Sequence, residues 1–366
     1  MQILTVDVGT GTQDILLFDS ERELENCFKL VMPSPTVVVA DQIRQATATR
    51  KTLVLQGVTM GGGPCHWATM DHVRAGLPAF ATPDAARTFD DDLAAVSEMG
   101  IVVVGDDEAL RLADRGAVRL FMGDLALGHI LKTLASFGVD VRLSALAVAV
   151  FDHGAAPPGF SDRVFRFNYL RERLESGLGL GAFAFRGDDV PPAMTRLRAV
   201  AETAPSDLRL LLMDTAPAAV AGALEDSRVR SAEGPLVVNV GNFHCLAFHL
   251  VDGHVAGLFE HHTGELDAPR LAGYVRQLAD GSISNETVFA DKGHGAIVFE
   301  GDAPEPDLLA VTGPRRALLT QPGLETYLAV PHGDMMLTGN LGLLRAYAAH
   351  DDGVREAVER RLGPAR

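Results

Sequence analysis

Over the first 20 residues the apolar side chains fall in two runs, Ile3–Leu4–Val6 and Ile15 to Phe18, with "DVGTGTQD" between them. Two apolar runs around a glycine-bearing polar turn predict strand, turn, strand. A third strand is expected at 27–33, a helix at about 36–48 and a buried strand at 52–58. There "TMGGGPCHW" interrupts, with three glycines and a proline ahead of a helix-like segment. From 79 to 151 short apolar runs such as "IVVVG" and "RLSALAVAVF" alternate with helical periods such as "DDEALRLADR" and "LALGHILKTLASFG", the signature of an α/β layer with largely parallel strands. The stretches 152–163 and 177–192, rich in glycine and proline, read as loop-like surface excursions. Residues 209–224 read strand then helix, and 226–234 reads as a connection.

Beyond that connection the opening pattern returns. "LVVNVGNFHCLAFHL" repeats the order of "ILTVDVGTGTQDILLFD": apolar run, Asp or Asn, one apolar residue, Gly, polar turn, apolar run. "DG" at 252–253 then signals another tight turn and a third strand. No period of 20–50 residues accompanies this, so a single large unit is duplicated. At 366 residues the chain exceeds what one core usually supports. The expected division is an N-terminal lobe, 1–234, carrying an α/β insertion, and a C-terminal lobe, 235–366.

Composition narrows the functional classes. The formal net charge of −16 disfavours nucleic acid and anionic membranes as partners. Three widely spaced cysteines, Cys27, Cys65 and Cys245, form neither a disulfide framework nor an iron–sulfur motif and fit a reducing cytoplasm. With no leader-like N-terminus and no apolar run near ~20 residues, a soluble cytoplasmic protein is expected.

The duplicated hairpin resembles the actin-like ATPase superfamily of sugar kinases, Hsp70 and actin. More narrowly, "VDVGTGTQDILLFD", "MGGGPCHWATMDHVRAGLPAFATPDAARTFDDDL", "VNVGNFHCLAFHL", "FEHHTGEL" and "DKGHGA" resemble an uncharacterised family within it labelled "putative pyruvate formate-lyase activating enzyme". The resemblance implies two ribonuclease-H-like lobes with ATP and Mg²⁺ in the cleft between them. It implies that Asp7 organises Mg²⁺ through water, that Gly9, Thr10, Gly11, Thr12 and Gln13 meet the phosphates, and that Gly241, Asn242, Phe243 and His244 form the facing turn. A third glycine turn, near the adenosine, would fall at Thr312 and Gly313. Physically, a turn free of bulky side chains lets backbone N–H groups converge on phosphate oxygens. Two departures from the superfamily pattern stand out. Asp14 replaces a lysine, and Asn239 replaces an aspartate; asparagine neither takes a proton nor brings charge to a metal.

Asp152 and Asp214 end predicted strands and join Asp7 as candidate catalytic carboxylates, although Asp214 is better placed to cap the following helix. His261, His262 and His294, with Glu260, Glu265 and Asp291 nearby, are candidate transition-metal ligands, phosphate contacts or structural residues. "GGGPCHW" is an anion cradle at a helix start or a tight connection. Three functions stay open: an ATPase or small-molecule kinase, a nucleotide-sensing scaffold that does not turn over, and a metal enzyme using the C-terminal histidines. A small-molecule or protein partner and a homodimer are compatible with each.

Overall fold

A computed structural model describes residues 1–157, 159–177, 179–299 and 304–364. Three antiparallel strands open the chain: β1 (Gln2–Val8), β2 (Thr12–Asp19) and β3 (Phe28–Pro33). Four short parallel strands follow, β4 (Leu53–Gly57), β5 (Ala79–Ala81), β6 (Ile101–Val103) and β7 (Val118–Met122), and form a separate sheet in the order β6-β5-β4-β7. The chain then returns to the first sheet with β8 (Leu143–Val150), β9 (Ala184–Arg186) and β10 (Arg209–Asp214), completing the order β3-β2-β1-β8-β10-β9. The second half contributes β11 (Pro235–Val240), β12 (His244–Val251), β13 (His254–His262), β14 (Gly295–Val298), β15 (Leu308–Thr312) and β16 (Tyr327–Leu328), in the order β14-β13-β12-β11-β15-β16.

Both large sheets follow one plan. An antiparallel meander (β1-β2-β3, β11-β12-β13) is extended on its first strand by two parallel strands (β8 and β10, β15 and β16). This is the ribonuclease-H-like strand order, and its duplication makes the protein a two-lobed α/β molecule of actin-like ATPase architecture. The residue pattern explains the layers. Alternate positions of β1 and β8 divide between two faces: Ile3, Ala145, Ala147 and Ala149 on one, Leu4, Val6, Leu146, Val148 and Val150 on the other. β8 is buried on both faces from Ala145 to Val150, as expected of a central parallel strand.

The helices that follow the fifth strands are exchanged. Helix Thr215–Ala223, after β10, puts Ala216 and Val220 into the core of the second sheet, while helix Thr338–His350, after β16, puts Leu341, Leu344 and Tyr347 into the core of the first. The two helices pack on each other. The C-terminal segment through Leu362 therefore completes the core of the first lobe, a non-local packing that a division at 234/235 along the sequence does not express.

The stretch 177–192 is not the expected surface excursion. Its apolar "AFAF" puts Ala182 and Phe183 in the core and forms the edge strand β9 against β10. No helix among the described residues is long and apolar enough to cross a membrane.

Candidate functional site

The two glycine hairpins meet. A Cβ built on Gly11, in the β1–β2 turn, would lie 2.6 Å from Asn242 Nδ2 in the β11–β12 turn, so glycine is what allows the tips to approach. Between the lobes is a cavity of about 1010 Å³, lined by Asp7, Gly9, Thr10, Thr12 and Asp14 from the first hairpin and by Asn239, Gly241, Asn242, Phe243 and His244 from the second. Thr312, Gly313 and Pro314 line it after β15, as do Gly61, Gly62 and Gly63 at the start of helix Pro64–Arg74. The glycine loop belongs to the inserted domain, and Trp67 of its helix packs on Phe243 at 5.8 Å between ring centroids, so the insertion forms a third wall.

Carboxylates concentrate at the first hairpin. Asp7 and Asp14 are direct cross-strand partners, a like-charge pairing that is unfavourable without a counter-ion. Asp7 Oδ1 accepts 2.6 Å from Thr215 Oγ1. Burial raises the Asp7 carboxyl to about 6, against the lowering effect of the Thr215 bond, with the charge of Asp214 adding to the rise. A Cβ on Gly339 would stand 1.9 Å from Asp7 Oδ2, so a glycine at the start of helix Thr338–His350 makes room for this carboxylate. Asp14 rises further, to about 8, first through burial and then through the charges of Asp7 and Asp334. Its Oδ1 is buried and has no hydrogen-bond partner.

Other sequence candidates have different places. Asp152 lines the cavity, but its Oδ1 accepts from Gly154 N and its Oδ2 from Leu197 N, each at 2.8 Å; it fixes the loop after β8. Asp214 is withdrawn from the cavity wall. It caps the next helix through Ala216 N at 2.9 Å and takes Arg166 Nη1 at 2.7 Å. Gln13 points to the neighbouring strand, with its Nε2 donating to Pro33 O at 3.0 Å. His261 and His262 lie on opposite faces of β13, as alternation demands. His261 turns to Asp291 and Tyr274, His262 toward His244 and His294. The histidines gathered at one point are His153, His244 and His294, with a ring nitrogen of each within 4.8 Å of the others. Of the expected group of His261, His262 and His294, the last two are neighbours, with ring centroids 4.6 Å apart, and His261 faces away.

Sequence reasoning missed the ionic framework behind this wall. Arg166 is fully buried between Asp214 and Glu260, at 2.7 and 2.8 Å, and its Nη1 also donates to Asp152 O at 2.7 Å. Arg196 bridges Asp124 (2.5 and 2.9 Å) and Phe151 O (2.6 Å). Bonded partners here are up to 94 positions apart in sequence, and an arginine amid a helical period carries no local sign of burial.

The geometry defines a two-lobed protein of the actin-like ATPase fold with a cavity between paired glycine hairpins. Within that class, the chain belongs to the family described as "Putative pyruvate format-lyase activating enzyme (DUF1786)", whose model matches residues 60–318. Among curated proteins, none matches the sequence. Solved structures similar to it include the ethanolamine utilization protein EutJ from Carboxydothermus hydrogenoformans (13% identity, 94% of this chain and 89% of that one, TM-score 0.33). An inorganic polyphosphate/ATP-glucomannokinase from Arthrobacter sp. strain KM matches at 14% identity over 99% of this chain and 98% of that one, TM-score 0.35. A ROK-family transcriptional regulator matches at 10% identity and TM-score 0.27, with 69% of this chain covering 37% of its length. The fold assignment rests on the strand order above and not on likenesses this remote. The three cysteines, Cys27 just before β3, Cys65 in helix Pro64–Arg74 and Cys245 in β12, are each buried and free, and offer no cluster-binding thiolate group of the kind the family description evokes.

Proposed function

We propose that the protein binds a nucleoside triphosphate with Mg²⁺ in the interlobe cavity. One observation carries this reading: the two glycine hairpin turns and the Thr312-Gly313-Pro314 turn, from separate halves of the chain, line the same cavity. Thr10 and Thr12 on one side and Asn242 and Phe243 on the other would offer backbone amides and hydroxyls to phosphate oxygens, while the amides of Gly9 and Gly241 close their own turns on Thr12 O and His244 O, each at 2.9 Å. The buried, unpartnered Asp14 Oδ1 and the Asp7–Asp14 apposition fit a divalent cation, since oxygen ligands of this kind hold Mg²⁺ directly or through water. When bound, the ion would neutralise phosphate charge and so favour phosphoryl transfer. Thr215 orients Asp7 for this task, and Gly339 leaves the space it occupies.

Turnover is a separate matter. Asp152 and Asp214 have their oxygens committed to backbone amides and to Arg166, and Asn239 supplies no base. This set favours slow hydrolysis or nucleotide sensing over rapid phosphoryl transfer. Thermal unfolding with ATP or ADP tests binding. A ligand at ~100 times its dissociation constant stabilises by roughly 2.7 kcal/mol, and that gain should need Mg²⁺. No shift with any nucleoside triphosphate would overturn the reading, whereas a shift without phosphate release would assign the protein to sensing.

A further inference from the structure

We propose that the protein holds a first-row divalent metal ion, zinc or iron(II), on His153, His244 and His294, at a site distinct from the carboxylates of the first hairpin. The three residues converge from separate segments: His153 from the loop after β8 in the first lobe, His244 from the first position of β12, and His294 from the turn before β14. The ion would therefore tie the two lobes together.

The rings stand in a wall of aromatic groups. Phe151 stacks on His244 at 3.9 Å between centroids, and His262 flanks His294 at 4.6 Å and His244 at 5.2 Å. A ring nitrogen of each of the three imidazoles lies within 4.8 Å of the others, and the lone pair of a neutral imidazole is what binds metal.

Hydrogen bonding within the group leaves it unsatisfied. His153 Nε2 and His294 Nε2 are 2.9 Å apart and can share one proton. His244 Nε2 is buried and makes no hydrogen bond, and a buried polar atom left without a partner is unfavourable. A cation shared by the lone pairs would offset part of that cost. Glu260 Oε1 lies 3.4 Å from His294 Nδ1, where a carboxylate behind a ligating imidazole fixes its tautomer and raises its basicity.

The donor set also says what the ion would do. Three imidazoles suit zinc or iron(II) and not magnesium, and His153 and His244 both line the interlobe cavity. Three protein ligands with the remaining positions directed to a cavity form an open site, able to take an anionic oxygen of whatever occupies the cleft. The inference does not rest on nucleotide binding: a Mg²⁺-dependent nucleotide shift can fail while the histidine site stands, and the reverse.

The test uses tag-free full-length protein, stripped with chelator, dialysed, and titrated with Zn²⁺ by calorimetry with elemental analysis of the bound metal. One zinc per chain is expected. Since loss of an outer-shell partner alone typically weakens binding about 10–100-fold, His153→Gln and His294→Gln should each weaken it by at least ~100-fold. The exposed His129→Gln should leave it unchanged. X-ray absorption of the wild-type zinc form provides a readout that needs no variant, with at least two imidazole nitrogens at about 2.0–2.1 Å. Failure of stripped wild-type protein to retain zinc, equal binding by folded His153→Gln and His294→Gln, or a zinc shell with fewer than two imidazoles would overturn the proposal.

Discussion

In the first hairpin Asp7 stands across from Asp14; at the matching register of the second, Asn239 stands across from Leu246. The backbones follow the same plan, and both open onto the same cavity. The first sets two carboxyl groups beside its glycine turn, whereas the second places an amide there and sets an imidazole, His244, at the start of its second strand. One topology thus supports an oxygen-rich corner and a nitrogen-rich corner lining one cleft. Conformation is set by glycine and strand pairing, and the few side chains at the turn are free to diverge in chemistry.

The largest expected effect lies where the halves are joined. Arg166 takes its carboxylate partners from both, Asp214 from the first and Glu260 from the second. Arg166→Met leaves two buried carboxylates uncompensated and should cost about 3–5 kcal/mol, read as a lowered denaturation midpoint in urea. A cost below 1 kcal/mol would mean that the triad does not join the halves.

The asymmetry of the hairpins predicts asymmetric mutants. Asp7→Asn should remove most of the Mg²⁺-dependent stabilisation by nucleotide, up to roughly 2.7 kcal/mol at saturating ligand, whereas Asn239→Ala should leave its Mg²⁺ dependence in place. Equal losses in paired thermal scans would show that the second hairpin holds the cation too.

Steric demands are unequal as well. Gly339→Ala would push a methyl into the buried Asp7 carboxylate and should destabilise by about 1–3 kcal/mol. Gly11→Ala meets the end of the exposed Asn242 side chain, which can turn away, and should cost less than about 1 kcal/mol. Chemical denaturation of both variants orders them.

A further effect is one of pH. Because Asp14 in the folded protein is raised to about 8 from an ordinary 3.8, the folded state binds the extra proton between those values. Stability without ligand should therefore fall as pH rises from about 4 to about 8. Asp14→Asn should flatten that slope, and Mg²⁺, competing with the proton, should act more strongly at pH 8 than at pH 6. A slope unchanged in Asp14→Asn would remove Asp14 as its source.

Much of the framework was legible because it is local. Alternation in "ILTVDVGTGTQDILLF" and "LVVNVGNFHCLAFHL" predicts both hairpins, and both form. The run "ALAVAVF" announces the central strand β8. By contrast, "GLGLGAFAF" reads as a loop from its glycines, yet Phe183 is fully buried because the second lobe's sheet covers it. Asp152 and Asp214, chosen for their positions at strand ends, spend their oxygens on backbone amides and on an arginine that no local pattern marks.

The sequence alone determined where the chain turns, which strands alternate and where small residues leave backbone amides accessible, because these depend on neighbours within a few positions. Only the tertiary structure decided that helix Thr338–His350 completes the first lobe's core, that Gly11 touches Asn242, and that His153 joins His244 and His294 while His261 faces away. Those outcomes depend on the packing of segments from different halves of the chain, and the period of one strand carries no information about which distant side chain will stand across the cleft from it.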